Sequence, residues 1–326
     1  MPRVSIGLPV YNGENYLNDS IRSLVRQTYD DLELIISDNA STDRTQEICQ
    51  DWANTDHRVR YFRQQRNQGL ARNSNFVFHV SRGELFKWAS HDDIHGLTFV
   101  ERCVEALDAN RDAVLACPRS VLIDADGGAI TILKDERGHY WLPPGGQRSP
   151  IRPADPPRRL SSPLPWRRYR DILLRTNWDI EIYGLVRARY LSRTSLHGLY
   201  HGTDKRILAE LSLMGRFVEI PEVLFYYRQH PVQAHLYEAS GVVRDLYLSA
   251  GQRRGSVIPR WNNFKGFCTA PLRAGLGALE STLCLAATAT WALRINRWPA
   301  LLREAGHNLV DAARLRRLQG SLNRGV

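Results

Sequence analysis

Apolar and polar positions in the first 120 residues alternate between two periods. Short apolar runs, rich in β-branched residues, predict buried strands at Val4–Val10, Leu32–Ser37, Val59–Phe62 and Leu85–Ala89. Apolar residues spaced three and four apart predict the intervening helices at Glu14–Gln27, Leu70–Val80 and 97–110, with a further helix that Ser41 or Thr42 caps and that ends at Trp52. This repetition predicts an α/β fold in which a mostly parallel sheet carries helices on both faces. Ligands of such sheets bind at the carboxyl ends of the strands.

The pattern changes beyond residue 110. Further strands are predicted at Ala113–Cys117, Val121–Ile123, Asp179–Tyr183 and Val223–Tyr227, and a helix at Asp204–Met214. Eight of the sixteen prolines lie between Pro143 and Pro165, so this segment is predicted to be a long loop. From Ser240 onward the pattern is helical and rich in arginine. We therefore predict one α/β domain over residues 1–235 and a helical, basic appendage over residues 236–326.

The net charge of +10 is concentrated near the C-terminus. Beyond residue 240 there are 13 lysines and arginines against 4 aspartates and glutamates. Such a region fits an anionic surface, such as the inner leaflet of a membrane, or nucleic acid, and equally a solvated helical face. The five cysteines are odd in number and contain no CxxC spacing, which argues against a disulfide framework or a cysteine metal cluster and favours a reducing compartment.

Two segments bear on targeting. The N-terminal residues lack the apolar run of a signal peptide. The most apolar later stretch, Leu279–Leu293, is shorter than the roughly 20 residues that span a bilayer. We predict a buried or interfacial helix there and a cytoplasmic protein.

Three polar clusters follow predicted strands or open predicted helices. They are Ser37–Asp43, Ser90–Asp93 and His201–Arg206. Carboxylates at strand ends can bind a ribose or a base, adjacent carboxylates suit a hard divalent cation, and a carboxylate near them can act as a general base. Helix capping explains each cluster alone as well. The chain has no GxGxxG or GxxxxGK[ST] loop, which argues against a dinucleotide-binding dehydrogenase and a P-loop kinase.

Taken in order, six segments resemble glycosyltransferase family 2, an inverting family with the GT-A fold. They are Ile6–Gly13, Asp38–Asp43, Asn67–Asn73, Ser90–Asp93, the region from Thr203 to Gly215, and Tyr227–His230. Each motif is modestly specific, but six in order over residues 3–232 are strongly specific. The resemblance implies a GT-A-type mixed, mostly parallel sheet flanked by helices, with residues 1–120 as the nucleotide-sugar half and residues 121–235 as the acceptor half.

The resemblance also implies a donor site for a nucleoside diphosphate sugar. Its expected members are Pro9, Tyr11, Asp38 and Asn39 around the nucleoside, Arg72 near the base or diphosphate, Asp93 beside the metal or sugar, and Arg228 and His230 near the diphosphate. Asp92 is the expected ligand of Mg²⁺ or Mn²⁺. Asn39 and Ser90 stand where the family commonly has aspartates, which predicts more reliance on Asp38 and weaker metal binding.

Asp204 is the expected catalytic base, with Asp179 and Glu181 as rivals. The expected reaction transfers a sugar to a glycan or lipid-linked acceptor hydroxyl with inversion, in surface polysaccharide or glycolipid synthesis, with the basic region resting peripherally on the membrane. Trp141, Trp166 and Trp178 are expected to stack on sugar, or to belong to the core. The competing interpretations are a catalytically impaired sugar-nucleotide-binding protein, a nucleotidyltransferase and, least expected, a nucleic-acid-binding protein.

Overall fold

The computed structural model describes residues 1–136, 138–142, 149–151, 153–230 and 259–294. Its strands are β1 (Val4–Val10), β2 (Leu32–Asp38), β3 (Val59–Arg63), β4 (Leu85–Trp88), β5 (Ile94–His95), β6 (Ala113–Ile123), β7 (Leu133–Asp135), β8 (Gly138–Trp141), β9 (Ser149–Pro150), β10 (Leu185–Arg187) and β11 (Arg216–Arg228). Its helices are α1 (Leu17–Val25), α2 (Thr45–Thr55), α3 (Leu70–His79), α4 (Phe99–Ala109), α5 (Pro165–Arg175), α6 (Ala188–Leu191), α7 (Thr203–Met214), α8 (Pro259–Arg273) and α9 (Ala278–Leu293), with a short 3₁₀ helix at Ile180–Tyr183.

An eight-stranded sheet forms the centre, in the order β3-β2-β1-β4-β10-β6-β11-β5. Neighbours are parallel from β3 to β4 and again between β6 and β11, whereas β10 and β5 run antiparallel to their neighbours. The carboxyl ends of β1, β2, β3, β4, β6 and β11 therefore meet at one edge. We call it the carboxyl edge, and the mixed, mostly parallel sheet confirms the predicted fold class.

Apolar residues fill a core on each face of the sheet. One core packs side chains of α1 and α4, such as Ile21 and Phe99, against alternate residues of β1 and β2. The other packs side chains of α3, α5 and α7, such as Val77, Tyr169 and Leu208, against the opposite face. Burial of this kind is the main favourable term in folding, at roughly 25 cal/mol per Å² of apolar surface.

A helical hairpin follows the sheet domain. Helices α8 and α9 pack against α5 and α7, and the Tyr169 hydroxyl of α5 donates to the Phe267 carbonyl of α8 at 2.7 Å and lies 3.0 Å from the Thr288 hydroxyl of α9. The helical character predicted beyond residue 240 is present in these two helices. Within the described ranges, none of the helices is both long enough and apolar enough to cross a bilayer.

Several predicted elements differ from the structure. The alternating segment after Asp179 is not a strand but a 3₁₀ helix, because Asp179 has a left-handed backbone with φ 54°. The two strands predicted over 113–123 are one strand, β6. The strand predicted at Val223–Tyr227 begins at Arg216, and a register shift between Ile220 and Val223 accommodates Pro221.

The predicted cap of α2 is also wrong. Neither Ser41 nor Thr42 caps the helix, which begins after Arg44 without a side-chain cap. The Asp43 carboxylate accepts the amide of Thr45 at 3.0 Å instead. In the proline-rich segment, part of which lies outside the described residues, Ser149–Pro150 pairs with Trp141 and Tyr140 as an edge strand, and Pro165 starts α5.

Candidate active site

Two loops at the carboxyl edge are bound together by hydrogen bonds. Asn12, in the loop after β1, has a positive φ of 51°, and its amide donates to the Ser41 hydroxyl at 2.9 Å. The Asn12 side-chain oxygen accepts the amide of Thr42 at 2.9 Å, and the amide of Gly13 donates to Thr45 Oγ1 at 2.9 Å. The Ser41 hydroxyl therefore accepts a hydrogen bond from the β1–α1 loop. It does not cap α2, because it is engaged there.

Asp38 ends β2 at the base of these loops and is fully buried. Its Oδ1 accepts the amide of Ser41 at 2.8 Å, while its Oδ2 accepts the Tyr61 hydroxyl at 3.0 Å and the Arg63 guanidinium at 2.6 Å. Arg63 lies opposite Asp38 in the register of β2 and β3, so strand pairing sets up the ion pair. The carboxylate is thus held rigidly and its charge is offset.

The remaining nucleoside residues lie around the same loops. The Asn39 side chain donates to Asn67 Oδ1 at 2.9 Å and accepts the amide of Gln68 at 2.8 Å, which joins β2 to the loop before α3. Pro9 lies in β1 opposite Ser37, and Tyr11 follows the strand half-buried. Arg72 is exposed on the first turn of α3. The structure brings these predicted residues to one area.

The loop after β4 carries the acidic pair. Asp92 is buried, its Oδ2 lies 3.0 Å from Nε2 of His230, and its Oδ1 accepts the Ser90 hydroxyl. Burial by itself raises the pKa of Asp92, but the hydrogen bond with His230, the charge of His91 and the Ser90 hydroxyl outweigh it and lower the pKa to about 2. Asp92 is therefore a carboxylate at neutral pH, as a metal ligand must be.

Asp93 differs from its neighbour in both contacts and protonation. It is fully buried, and its Oδ1 accepts the amide of Arg228 at 2.9 Å. Burial, reinforced by the charge of Asp92, raises the pKa of Asp93 well above its ordinary range. Its Oδ2 is buried and has no hydrogen-bond partner among the described residues. A buried polar atom of this kind calls for a partner, which the described residues do not supply.

Arg228 and His230 enclose the acidic pair from the end of β11. Arg228 Nε donates to the Asp92 carbonyl at 2.8 Å, and its guanidinium lies 4.7 Å from the ring centre of Tyr16. The Tyr16 ring also packs against the His230 ring at 5.1 Å. Tyr16 immediately precedes α1, so the β1–α1 loop contacts the end of β11 as well as the Asp38 loop. A Cβ added to Gly13 would lie 2.8 Å from Cδ2 of His91, which shows how closely the two loops approach.

A buried cation lies beneath the acidic pair. Lys87 of β4 is fully buried, and its Nζ donates to the Trp88 carbonyl at 3.1 Å and lies 2.9 Å from Nε2 of His95. Burial lowers the pKa of Lys87 from 10.5 to about 7. Burial and the charge of Lys87 also hold the pKa of His95 well below its ordinary value. His95 is therefore neutral, and its Nε2 can accept from the lysine.

Asp204 begins α7 beside this edge. Its side chain is about half exposed, at 49%, and Oδ1 lies 3.2 Å from Nδ1 of His197. The His197 ring stands edge-on to Trp88, the last residue of β4, with ring centres 4.6 Å apart. Trp88 lies only two residues before Ser90, so these contacts connect Asp204 to β4, the strand that leads into the loop of Asp92 and Asp93. An exposed carboxylate there can take a proton from an incoming hydroxyl.

Asn75 of α3 fixes the backbone of His197. Its side-chain amide donates to the His197 carbonyl at 2.9 Å and accepts the His197 amide at 3.0 Å. On the same helix, Asn73 donates to the Ser37 carbonyl at 2.8 Å. Helix α3 therefore joins the donor loops to the segment that precedes Asp204.

The two rival bases are tied to other groups. Glu181 is buried and forms an ion pair with Arg158. Asp179 lies 3.5 Å from the Lys205 ammonium. Trp178 packs partly into the core and donates to the Pro153 carbonyl at 2.9 Å, whereas the guanidinium groups of Arg167 and Arg170 each lie over the Trp166 ring. Trp141 lies half-buried in β8.

Five contributors were not found from the sequence: Tyr16, Tyr61, Arg63, Asn75 and His197. Arg63 had a usable signal, because it directly follows the predicted strand Val59–Phe62, as Asp38 follows the predicted strand Leu32–Ser37, so the two could have been paired by register. His197 had none, since it lies in the loop just before the His201–Arg206 cluster and belongs to none of the motifs.

The described residues contain no group of three or more His, Cys, Asp or Glu side chains placed to hold a metal ion. Asp92 with His230 nevertheless supplies a carboxylate and an imidazole nitrogen 3.0 Å apart. Mg²⁺ in phosphate sites takes few protein ligands and completes its shell with diphosphate oxygens and water. The Asp92 carboxylate fits such an ion, bound jointly with a diphosphate.

Residues 5–148 match the family model for glycosyl transferase family 2. An uncharacterized glycosyltransferase of Rickettsia typhi is 32% identical over 138 residues, which are 42% of this chain and 42% of that protein. The chain thus spans less than half of that relative's length.

Two solved structures share the fold. TarS of S. aureus, solved in complex with UDP-GlcNAc, superposes with a TM-score of 0.57 at 13% identity, over 94% of this chain and 80% of that one. A mannosyltransferase of Pyrobaculum calidifontis, in complex with GDP-Man and Mn²⁺, has a TM-score of 0.52 at 17% identity, over 95% and 88% of the two chains. The sheet order and these likenesses give a GT-A-type fold, and over residues 5–148 the chain matches glycosyl transferase family 2.

Proposed function

We propose that the protein is a glycosyltransferase that moves a sugar from a nucleoside diphosphate sugar to an acceptor hydroxyl with inversion. The observation that carries the proposal is the arrangement at the carboxyl edge. The buried, ionised Asp92 pairs with His230 in the loop after β4, next to the loops that hold Asp38. Asp204 contacts His197, which in turn packs against Trp88 at the end of β4. Donor, metal and base functions would then share one side of the sheet.

The donor nucleoside would lie over the loops after β1 and β2. Tyr11 would stack on the base, with Pro9 and Asn39 lining the pocket and Arg72 reaching the base or the diphosphate. Asp38 is fully engaged by Ser41, Tyr61 and Arg63, so we assign it the role of shaping this pocket together with any ribose contact. TarS with UDP-GlcNAc and the archaeal enzyme with GDP-Man carry different nucleotides on this fold, so the nucleotide here is left open.

Asp92 would hold Mg²⁺ or Mn²⁺, and His230, which lies 3.0 Å from its carboxylate, would add positive charge near the diphosphate. The ion supplies neutralisation of the charge on the departing nucleoside diphosphate. Arg228 is buried beside the acidic pair and adds positive charge there. Asp93 Oδ2, which has no hydrogen-bond partner among the described residues, would accept a hydrogen bond from a hydroxyl of the donor, or donate one while Asp93 is protonated.

Asp204 would act as the general base. The acceptor oxygen forms a bond to the anomeric carbon as the bond from that carbon to the diphosphate oxygen breaks, and the hydroxyl proton passes to the Asp204 carboxylate. A single displacement of this kind inverts the anomeric configuration. The exposed side of Asp204 leaves room for an acceptor, whereas buried Glu181 is spent on Arg158.

The acceptor would be a glycan or a lipid-linked glycan, in surface polysaccharide or glycolipid synthesis. The proposal includes a cytoplasmic location at the inner face of the membrane, which the basic C-terminal composition supports.

A thermal-shift screen of UDP-, GDP- and dTDP-sugars with and without Mn²⁺ tests the proposal. A ligand that binds only the folded state raises the unfolding midpoint, so one nucleotide class should raise it, and more so with the ion. Release of the nucleoside diphosphate from that donor should then be measured. Binding without release under any condition, with and without candidate acceptors, would assign the chain to sugar-nucleotide binding alone, and no binding at all would refute the proposal.

A further inference from the structure

The hairpin of α8 and α9 exposes large apolar side chains. Of nine large hydrophobic residues exposed in the described ranges, five lie in these 36 residues: Trp261, Leu272, Leu279, Leu285 and Leu293. Leu279 is 73% exposed and Leu293 is 71% exposed. Single exposed apolar residues are ordinary on protein surfaces. A concentration of them marks a surface that contacts a membrane or another protein.

The solvent side of α9 carries no charge along its length. Its exposed residues are Ala278, Leu279, Thr282, Leu285, Ala286, Ala289, Thr290 and Leu293. The single charged residue of the helix is Glu280, and its Oε2 accepts the amide of Trp166 at 3.0 Å, which turns the carboxylate toward α5. At about 1.5 Å per residue, the uncharged face is roughly 24 Å long.

The charge of the hairpin identifies what covers this face. Residues 259–294 contain Arg260, Lys265, Arg273 and Arg294 against Glu280. Lys265 is exposed one turn from Trp261 on the outer side of α8. Arg273 lies 3.4 Å from the Glu210 carboxylate and Arg294 donates to the Leu174 carbonyl, so these two contact the sheet domain. An apolar face on a hairpin of net positive charge is complementary to a bilayer surface with anionic headgroups, where apolar side chains enter the acyl boundary and the exposed Lys265 ammonium meets a phosphate.

The same charge disfavours two other occupants. A second copy would bring another positively charged hairpin against the first. The chain after Arg294 contains six arginines against two acidic residues, so it is also positively charged. With 16 residues, α9 is too short to cross a bilayer but long enough to lie in its surface.

The hairpin is joined to the segment that carries the proposed base. Asn263 of α8 donates to the His201 carbonyl at 3.0 Å. A Cβ added to Gly266 would lie 2.5 Å from Nε of Arg206, so α8 meets α7 at close range. Asp204 follows His201 by three residues. A membrane-bound hairpin of α8 and α9 would therefore hold a fixed position relative to Asp204.

We propose that the exposed face of α8 and α9 docks the protein on an anionic membrane, so that a membrane-resident acceptor meets the carboxyl edge. The docking itself stands on the exposed face and its charge, and only the acceptor part rests on the proposed function.

The test is co-sedimentation of the full chain with vesicles, without any donor sugar. Phosphatidylcholine vesicles are compared with vesicles of phosphatidylcholine and phosphatidylglycerol, and the double variant Leu279→Asp/Leu293→Asp is compared with Leu97→Asp, which changes an exposed leucine of the sheet domain. We expect the wild type and Leu97→Asp to bind the anionic vesicles, with less binding as salt rises. The double variant should bind at least about tenfold more weakly, since two leucines no longer enter the lipid.

Equal binding by the double variant and Leu97→Asp, or no binding by the wild type, would overturn the proposal. Circular dichroism and the unfolding midpoint check that the double variant is folded. Sedimentation velocity without vesicles tests whether a second copy of the chain covers the face instead. A wild-type dimer that becomes monomeric in the double variant would assign the face to self-association. Nucleoside diphosphate release in solution should be the same in the double variant and the wild type, so a failure of docking and a failure of the proposed transfer give separate results.

Discussion

Nδ1 of His197 lies 3.2 Å from Oδ1 of Asp204, and the same imidazole packs edge-on against Trp88 at the end of β4. His197 thus stands between the helix that carries the proposed base and the strand that leads into the acidic loop. The side-chain nitrogen and oxygen of Asn75 both hydrogen-bond to the backbone of His197. The position of Asp204 therefore depends on contacts from α3, β4 and its own loop, rather than on the start of α7 alone.

Asp204→Asn should reduce sugar transfer by about 100-fold or more, because general-base catalysis contributes roughly 10²–10⁴ and the amide cannot accept the proton. Donor binding should persist, since Asp204 lies outside the loops that hold Asp38 and Asp92. Initial rates of transfer and the donor-induced thermal shift measure the two effects. Glu181→Gln is the comparison for the rival base. Loss of transfer in Glu181→Gln with full activity in Asp204→Asn would reverse the assignment.

His197→Ala should lower kcat by roughly 10- to 100-fold while the donor KM changes little, because misplacement of a catalytic group costs about this much. His197→Asn should recover most of the rate, since its amide nitrogen can replace Nδ1 as a donor to Asp204. The backbone contacts with Asn75 remain in both variants. His79→Ala, at an exposed position of α3, is the control. A purely structural role predicts an equal loss in the Ala and Asn variants.

Much of this edge follows from local sequence, and the rest does not. β2 is buried at every position and β1 at every position except Pro9, and both are mostly apolar, so the end of the predicted second strand located Asp38. The alternation in Asp179–Tyr183 fits a strand equally well, and only the left-handed backbone of Asp179 produces a 3₁₀ helix. That conformation depends on tertiary contacts, such as the Lys205 ion pair.

The sequence also did not predict contacts between residues that are far apart in the chain. The first half of β11 has the polar residues and the proline of a loop, yet it pairs with β6 from Arg216 onward. His197 is a near neighbour of Asp204 in the chain, but it meets Trp88 only because the sheet brings two distant segments to one edge. The division into halves at residue 120, the boundary at residue 235 and the role of each site residue remain predictions.

Asp92→Asn should remove the part of the donor-induced thermal shift that depends on Mn²⁺. The amide is a poorer ligand for a hard cation than the carboxylate, whose low pKa keeps it ionised. A smaller, metal-independent shift from nucleoside contacts should remain. Asp126→Asn, in an exposed turn, is the matched control. An unchanged metal increment in Asp92→Asn would show that the ion binds elsewhere.

Lys87→Met should remove a pH-dependent part of the stability. The pKa of Lys87 is about 7 in the folded protein and 10.5 ordinarily, so between these values the unfolded chain binds a proton that the folded protein does not. Stability therefore rises with pH through this window, by up to about 1.4 kcal/mol per pH unit, and levels off below pH ~7, where both states are protonated.

The measurement is the free energy of unfolding from urea titrations at several pH values between about 7 and 9. The difference between wild type and Lys87→Met should grow in favour of the wild type as pH rises, because only the wild type sheds the cost of a buried ammonium. Lys265→Met, which removes an exposed ammonium from α8, should follow the wild-type slope. Parallel slopes for all three proteins would mean that Lys87 keeps its charge in the core, with Trp88, His95 and the Phe99 ring as sufficient partners.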